Sequence, residues 1–214
     1  MIERIKGICG SENVVVCTSD HPDDAILAQE AETCGVQVFC GSQDDKLRRY
    51  LGAAEHYSHD AMLIIDGDDP FISISHAKQT LEALQDENTD MVLFDNLPVG
   101  AMAFGIKTRV LRKSVAENPE RDTEVWAPFL RQVAGLREVT LHEKNAELTQ
   151  PSARMTVDYP EDYDFCCRVL AGLRPLGQDP TFENIMALLQ ARPDLVAINA
   201  HKATAYEQHL NATH

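Results

Sequence analysis

The chain of 214 residues has no run of 18 apolar residues, the length a helix needs to span a bilayer. It also shows no basic start followed by an apolar stretch, the mark of a secretory leader. We therefore expect a soluble, cytoplasmic protein with no membrane partner. Positive charge is scarce, because 19 basic residues stand against 34 acidic ones and the formal net charge is -15. That balance argues against a nucleic-acid partner or an anionic membrane surface. It also means that a polyanionic small ligand must be met by local basic groups, backbone N–H donors or a divalent cation. Cysteine occurs at Cys9, Cys17, Cys34, Cys40, Cys166 and Cys167, but no C-x-x-C pair or even framework is formed. The spacing excludes a disulfide-stapled scaffold and reads as reduced thiols within apolar segments. His56 and His59 lack a third ligand and read as solvated polar residues.

What the chain has in quantity is apolar sequence, 44% of its residues, enough for one core. We expect one domain over residues 1–214, with an excursion at about 95–150 that covers the site or makes a dimer contact. The organising stretch is A-M-L-I-I-D-G-D-D-P-F, Ala61 to Phe71. Its first residues read as a buried strand, and Asp66, Asp68 and Asp69 then stop it. The acids must sit at the strand's C-terminal end, the edge where open α/β sheets bind ligands. A hard cation with oxygen ligands is the simplest thing that makes such crowding favourable. The plain alternative is a solvated turn between strand and helix.

Around that stretch, strands and helices alternate. Asn13 to Cys17 reads as a strand ending in Thr18, Ser19 and Asp20, and Pro22, Asp23 and Asp24 open a helix that Gly35 closes. Val36 to Phe39 is a second strand, and Ser42 with Asp45 forms a capping box before Leu47, Tyr50, Leu51 and Ala54. A helix over about 75–85 and a strand over 90–94 follow. In the looser section, a strand over 101–106, helices over 109–117 and 123–133 and a strand over 137–141 are expected. Arg154 to Val157 returns to strand with Asp158 at its end; the helix after it buries Phe165, Val169 and Leu170, and the last carries Phe182, Ile185, Met186 and Leu189. The alternation implies a three-layer αβα, Rossmann-like fold with a mostly parallel sheet. Asp68 and Asp158 then reach one sheet edge and could share one Mg²⁺ or Mn²⁺, with Asp158 as a simple helix N-cap the alternative.

Several of these runs are similar to one family. V-V-V-C-T-S-D-H-P-D-D at Val14 to Asp24 and G-V-Q-V-F-C-G-S-Q-D-D-K-L-R-R-Y-L at Gly35 to Leu51 resemble the SpsF-type cytidylyltransferases of spore coat polysaccharide synthesis. These are relatives of the CMP-sialic acid and CMP-3-deoxy-manno-octulosonate synthetases. G-D-D-P at Gly67 to Pro70 resembles the family's G-D-x-P metal motif, and R-M-T-V-D-Y-P-E-D-Y at Arg154 to Tyr163 its L-T-V-D-T-P-E-D segment. The C-terminal F-E-N-I-M-A-L-L and P-D-L-V-A-I-N-A-H match as well, so the likeness runs nearly the length of the chain.

The resemblance implies Mg²⁺- or Mn²⁺-dependent transfer of a cytidylyl group from CTP to a sugar acid or similar acceptor, in a homodimer, with pyrophosphate released. It gives Asp68 and Asp158 the metal, and places Thr18, Ser19, Asp20, Arg49, Asp66, Glu124 and Arg154 around the substrates. Two departures stand out. The family's first strand and its A-R-x-x-S-x-R-L-P-x-K phosphate loop have no counterpart, since Met1 to Gly7 resembles the helix after that loop. Where relatives carry D-G-x-D-x-E, this chain has V-G-A-M-A-F-G at Val99 to Gly105. Two further readings follow: a glycosyltransferase holding a nucleotide-sugar at Asp66-Gly67-Asp68, and a non-catalytic remnant or partner subunit.

Overall fold

Short β-branched runs become strands and apolar stripes at helical spacing become helices, and the order of the two sets the architecture. The computed structural model describes residues 1–118, 122–123, 125–149 and 153–203. Helix α1 (Ile2–Cys9) leads into β1 (Val15–Ser19), α2 (Ala25–Thr33), β2 (Gln37–Gly41) and α3 (Lys46–His56). Next come β3 (Ala61–Ile64), α4 (Ile74–Ala83), β4 (Met91–Phe94), β5 (Phe104–Lys107) and α5 (Thr108–Glu117). The chain continues through α6 (Ala127–Arg131), β6 (Glu138–Leu141), α7 (Pro160–Leu173), α8 (Phe182–Ala191) and α9 (Pro193–Val196).

The strands form two sheets, a parallel pair β1-β2 and a four-stranded sheet in the order β3-β5-β4-β6. Within the larger sheet β4 and β6 are parallel, and β5 runs against both β3 and β4. Strands β3, β4 and β6 therefore share a direction, and the fold is mixed α/β and mostly parallel, as expected. Ile5 and Ile8 of α1 pack with Ile72 and Ala77 on one face, while Leu47 of α3 and Leu111 of α5 pack with Ile64, Met91 and Trp126 on the other. The largest core lies under α7 and α8, around Phe165, Val169, Leu173, Phe182 and Ile185. No helix among the described residues is long and apolar enough to cross a membrane.

Several expectations shift. Ser11–Asn13 wind into a 3₁₀ turn, so β1 starts later and takes in Thr18 and Ser19. The cap of α3 is Asp45, whose carboxylate accepts from Arg48 N; Ser42 Oγ instead accepts from Asp45 N. Residues 154–157 do not form a strand. They cross between two loops, with Met155 N donating to Val99 O at 2.8 Å and Val157 N to Asp68 O at 2.9 Å, which leaves a single Val99–Arg154 bridge. The helix expected over 123–133 contracts to α6, since Pro128 fits only a first turn and the Thr123 hydroxyl is taken by α3. Helix α7 buries Phe165, Val169 and Leu173, at steps of four, and turns Leu170 outward. The segment at about 95–150 supplies β5 and β6, two strands of the larger sheet.

Candidate active site

Beyond Ile64 the chain turns through Asp66, Gly67 and Asp68, with Asp69 N donating to Asp66 O at 3.2 Å. Proline at position 70 has no N–H to carry a strand onward, so the turn stays at the sheet edge. Asp68 is exposed there, Asp66 is half-buried and Asp69 is buried. The backbone bond from Val157 to Asp68 O draws the second acidic segment alongside and puts Asp158 on the same lip. Its exposed carboxyl lies close enough to Asp68 to feel that charge. Partial burial, opposed by Arg154 and reinforced by Asp68, raises the Asp158 pKa. Asp69 is pushed up to about 7 by burial, then by Asp68 and Asp66, although the Thr156 hydroxyl donates to it.

Close backbone approach makes this convergence possible. Gly100 has a left-handed φ of +83°, and a Cβ there would meet Thr156 N at 2.5 Å and Met155 C at 2.6 Å. Only glycine lets the Val99–Ala101 loop lie against the Arg154 segment.

Arg154 is 2% exposed and is fully committed inside the protein. Its Nε donates to both oxygens of Asp162 at 3.0 and 3.2 Å, and its Nη2 donates to Asp158 Oδ2. Asp162, itself fully buried, also accepts from the backbone N–H groups of Asp158 and Tyr159, each at 3.0 Å, and from Asn199 Nδ2 at 2.9 Å. A buried arginine held this way fixes the direction of Asp158. Asp162 and Asn199 escaped the sequence reading; the signal was the spacing of four that joins Arg154 to Asp158 and Asp158 to Asp162.

A cavity of about 890 Å³ opens beside the lip, with Thr18, Ser19, Asp24, Arg49 and Asp66 among its lining residues. The hydroxyls of Thr18 and Ser19 donate to Asp24 Oδ2, at 3.1 and 2.5 Å, and these bonds hold the Asp24 carboxyl below its ordinary pKa. Asp24 is thus a wall residue that sequence reading passed over as a helix-start acid. Arg49 is buried, with one guanidinium nitrogen donating to Ser42 O at 2.9 Å. Asp20 is exposed and lies outside this cavity, in a shallower hollow with His21 and Cys40. Glu124 lies outside the described residues.

Among the described residues no group of three or more His, Cys, Asp or Glu side chains forms a ready-made metal cage. The donors that do meet are hard carboxylate oxygens, and burial first, with the neighbouring acids adding to it, raises the Asp69 and Asp158 pKa values. That chemistry fits a small divalent cation taking one or two carboxylates from protein and the remainder from water and phosphate.

Comparison with known proteins agrees with this geometry. A cytidylyltransferase family model matches residues 1–199. The chain is 25% identical over 202 residues to an uncharacterized protein of Methanocaldococcus jannaschii, spanning 94% of this chain and 82% of that one. It is 26% identical over 187 residues to the spore coat polysaccharide biosynthesis protein SpsF of Bacillus subtilis, spanning 86% and 77%. The fold is similar to a cytidylyltransferase of Leptospira borgpetersenii serovar Hardjo-bovis, with TM-score 0.78, 21% identity and coverage of 92% and 83%. It is also similar to a CMP:2-keto-3-deoxy-manno-octonic acid synthetase solved with CTP, at TM-score 0.56, 15% identity and coverage of 79% and 85%. With the family model covering nearly its whole length, the chain belongs to the cytidylyltransferase family.

Proposed function

We propose that the lip carrying Asp68 and Asp158 transfers a cytidylyl group from CTP to a hydroxyl of a sugar acid or related acceptor. The carrying observation is the juxtaposition of these two exposed carboxylates, from segments 90 residues apart, beside the 890 Å³ cavity. Support comes from the SpsF relative, named for polysaccharide biosynthesis, and from the synthetase solved with CTP. In the reaction the acceptor hydroxyl loses its proton to solvent as its oxygen bonds to the α-phosphorus, the bond to the bridging oxygen breaks, and pyrophosphate leaves with that electron pair. Asp68 and Asp158 would hold Mg²⁺ or Mn²⁺, which when bound neutralises charge on the phosphate oxygens. Arg154, braced by Asp162, keeps Asp158 aimed at the lip. Thr18 and Ser19 pin Asp24 in the cavity wall, and Arg49 and Asp66 stand there as contacts for the nucleotide. Because such a transfer needs chiefly positioning and charge neutralisation, no protein nucleophile is required. The reading treats the chain as one nucleotidyltransferase-like unit acting in the cytoplasm as a homodimer through residues 95–150, where the exposed Val139 lies on edge strand β6.

The test is pyrophosphate release from CTP with Mg²⁺ across a panel of sugar acids. Turnover is expected with at least one acceptor, and Asp68→Asn should lower it by about 100-fold or more with the fold retained. Silence with CTP, together with Mn²⁺-dependent hydrolysis or transfer from a UDP- or GDP-sugar, would overturn it.

A further inference from the structure

Ser73, His76 and Glu143 form a buried chain of hydrogen bonds that the proposed transfer does not use. His76 is 2% exposed and Ser73 is fully buried. The Nδ1 of His76 meets Ser73 Oγ at 2.6 Å, and its Nε2 meets Glu143 Oε2 at 2.7 Å. An ionised carboxylate only accepts, so Nε2 is the protonated nitrogen and donates to Glu143. The ring is seated edge-on between Phe94 of β4 and Phe182 of α8, with centroids 4.8 and 5.4 Å away. Serine, histidine and acid in this order make up a hydrolase relay. Here, however, the serine is closed off from solvent and caps α4, its Oγ accepting from His76 N, so no substrate reaches it. What the arrangement does is hold two segments together.

Each arm of the chain ends on a segment that leads to the lip. Ser73 closes the turn that begins at Asp66, and its N–H donates to Ala101 O at 2.9 Å. Ala101 belongs to the loop whose Val99 O accepts from Met155 N at 2.8 Å and whose Gly100 lies against Thr156. Two residues past Met155, Val157 N donates to Asp68 O, the bond that brings Asp158 to the lip. On the other arm, Glu143 stands in a strap over 142–149 that runs toward the Arg154 segment. Asn96 grips the Glu143 backbone at both N–H and C=O, at 2.9 and 2.8 Å, and Gln190 of α8 donates to Glu147 O at 2.7 Å. The Asn145 N–H first, with His76 adding to it, keeps the Glu143 carboxyl below its ordinary pKa against the cost of burial.

We infer that His76 is a positioning residue for the lip: its two nitrogens clamp the Ser73 end of the Asp66 turn to the strap at Glu143, and through Ala101 the clamp sets how Asp158 meets Asp68. Histidine suits the place because a flat ring packs between two phenylalanines while its nitrogens reach in different directions. Phenylalanine there would keep the packing and drop both bonds. Ser73 Oγ would then be left with Ser75 Oγ at 3.1 Å, and the Glu143 carboxylate with Asn145 N. Buried polar groups that lose a partner pull their segments toward other arrangements. The clamp itself stands on the geometry above, whereas its consequence for metal binding rests on the proposed role of Asp68 and Asp158.

The test compares wild type with His76→Phe and Glu143→Gln by residue-resolved amide hydrogen exchange, with α3 and α5, on the other core, as the reference. In His76→Phe the amides of Met155 and Val157 should exchange about 10-fold faster relative to that reference, because their bonds to Val99 O and Asp68 O assemble the lip. Glu143→Gln keeps the ring but puts an amide where Asn145 N and His76 each need an acceptor, and should give about a 3-fold change at the same two amides. In CTP turnover, the Mg²⁺ concentration for half-maximal rate should rise about 10-fold in His76→Phe, while the rate at saturating Mg²⁺ stays within about 3-fold. Unchanged exchange at Met155 and Val157 overturns the inference. So does a uniform acceleration that includes α3 and α5, which would make the ring a packing residue only, and so does an unchanged Mg²⁺ dependence in a variant whose lip amides have loosened. Should His76→Phe not fold, Glu143→Gln decides by the same ratio. If wild type itself does not turn over CTP, the transfer reading fails, and the exchange ratios still decide the clamp.

Discussion

The pair β1-β2 rests on a small core around Val14, Ala31 and Val36, whereas the sheet β3-β5-β4-β6 sits between two larger ones, including the Phe165, Phe182 and Ile185 cluster. The difference tracks the chemistry. Asp68 leaves a strand of the well-supported sheet, and Asp158 is steered by Arg154, Asp162 and Asn199, packed against the largest core. Thr18 and Ser19 belong to the thinner side, where they hold Asp24 and line the cavity. Groups that must keep a geometry within tenths of an ångström stand on the deep side. Groups that line the cavity stand on the thinner side.

The sharpest way to break this contrast is Asp162→Ala. It leaves Arg154 buried without its main counter-charge, and breaking such a pair costs about 3–5 kcal/mol. Tm should fall by roughly 10 °C in a calorimetric scan, and a fall under about 2 °C would show that the network does not hold the lip. Gly100→Ala comes next, at about 2–3 kcal/mol, from the left-handed φ of +83° and the contact of a Cβ with Thr156 N. Urea unfolding measures it, and a neutral result would mean that the Val99 loop need not lie against Met155.

Asp90→Asn probes the far edge of the deep sheet, where Arg137 and Arg109 donate to the carboxylate at 2.9 and 2.7 Å and hold its pKa below the ordinary value. The expected loss at neutral pH is about 1–2 kcal/mol. The carboxyl is depressed in the folded state, so its contribution is complete above the unfolded pKa of about 3.9 and disappears as pH falls toward the folded pKa. The gap in stability between wild type and variant should therefore be widest at pH 6–7 and close below about pH 4, read from urea curves at each pH. A gap that widens in acid would reverse the assignment. The smallest effect is Ser19→Ala on the thin side, at about 1 kcal/mol for the lost bond to Asp24, with β1 amides exchanging faster and β4 amides unchanged.

Much of this was legible in the chain itself. The alternation of elements, the stripe of Phe182, Ile185, Met186 and Leu189, and the lip position of Asp68 all follow from local pattern, because each depends on residues a few places apart. Arg154 is a different case. The resemblance placed it around the substrates, while its bonds to Asp162 and Asn199, 8 and 45 residues on, depend on packing that local pattern does not show. Thr18 and Ser19, which the resemblance placed around the substrates, line the cavity and are bonded to Asp24, a partner that local pattern did not show. The antiparallel β5 was not readable, since strand direction depends on where a loop returns and leaves no mark in a run as short as Phe104–Lys107. The split between β1 and β3 is likewise a property of neighbours, invisible in either strand alone.

The central claim is that Asp68 and Asp158 grip one divalent ion together with the nucleotide's phosphates. It is tested most directly by calorimetric titration of CTP into the chain with and without Mn²⁺, for wild type, Asp68→Asn and Asp158→Asn. The account predicts that Mn²⁺ tightens CTP binding by about 10-fold or more in wild type and has no such effect in either variant, with Tm held within about 2 °C. Equal tightening by Mn²⁺ in all three proteins would contradict it.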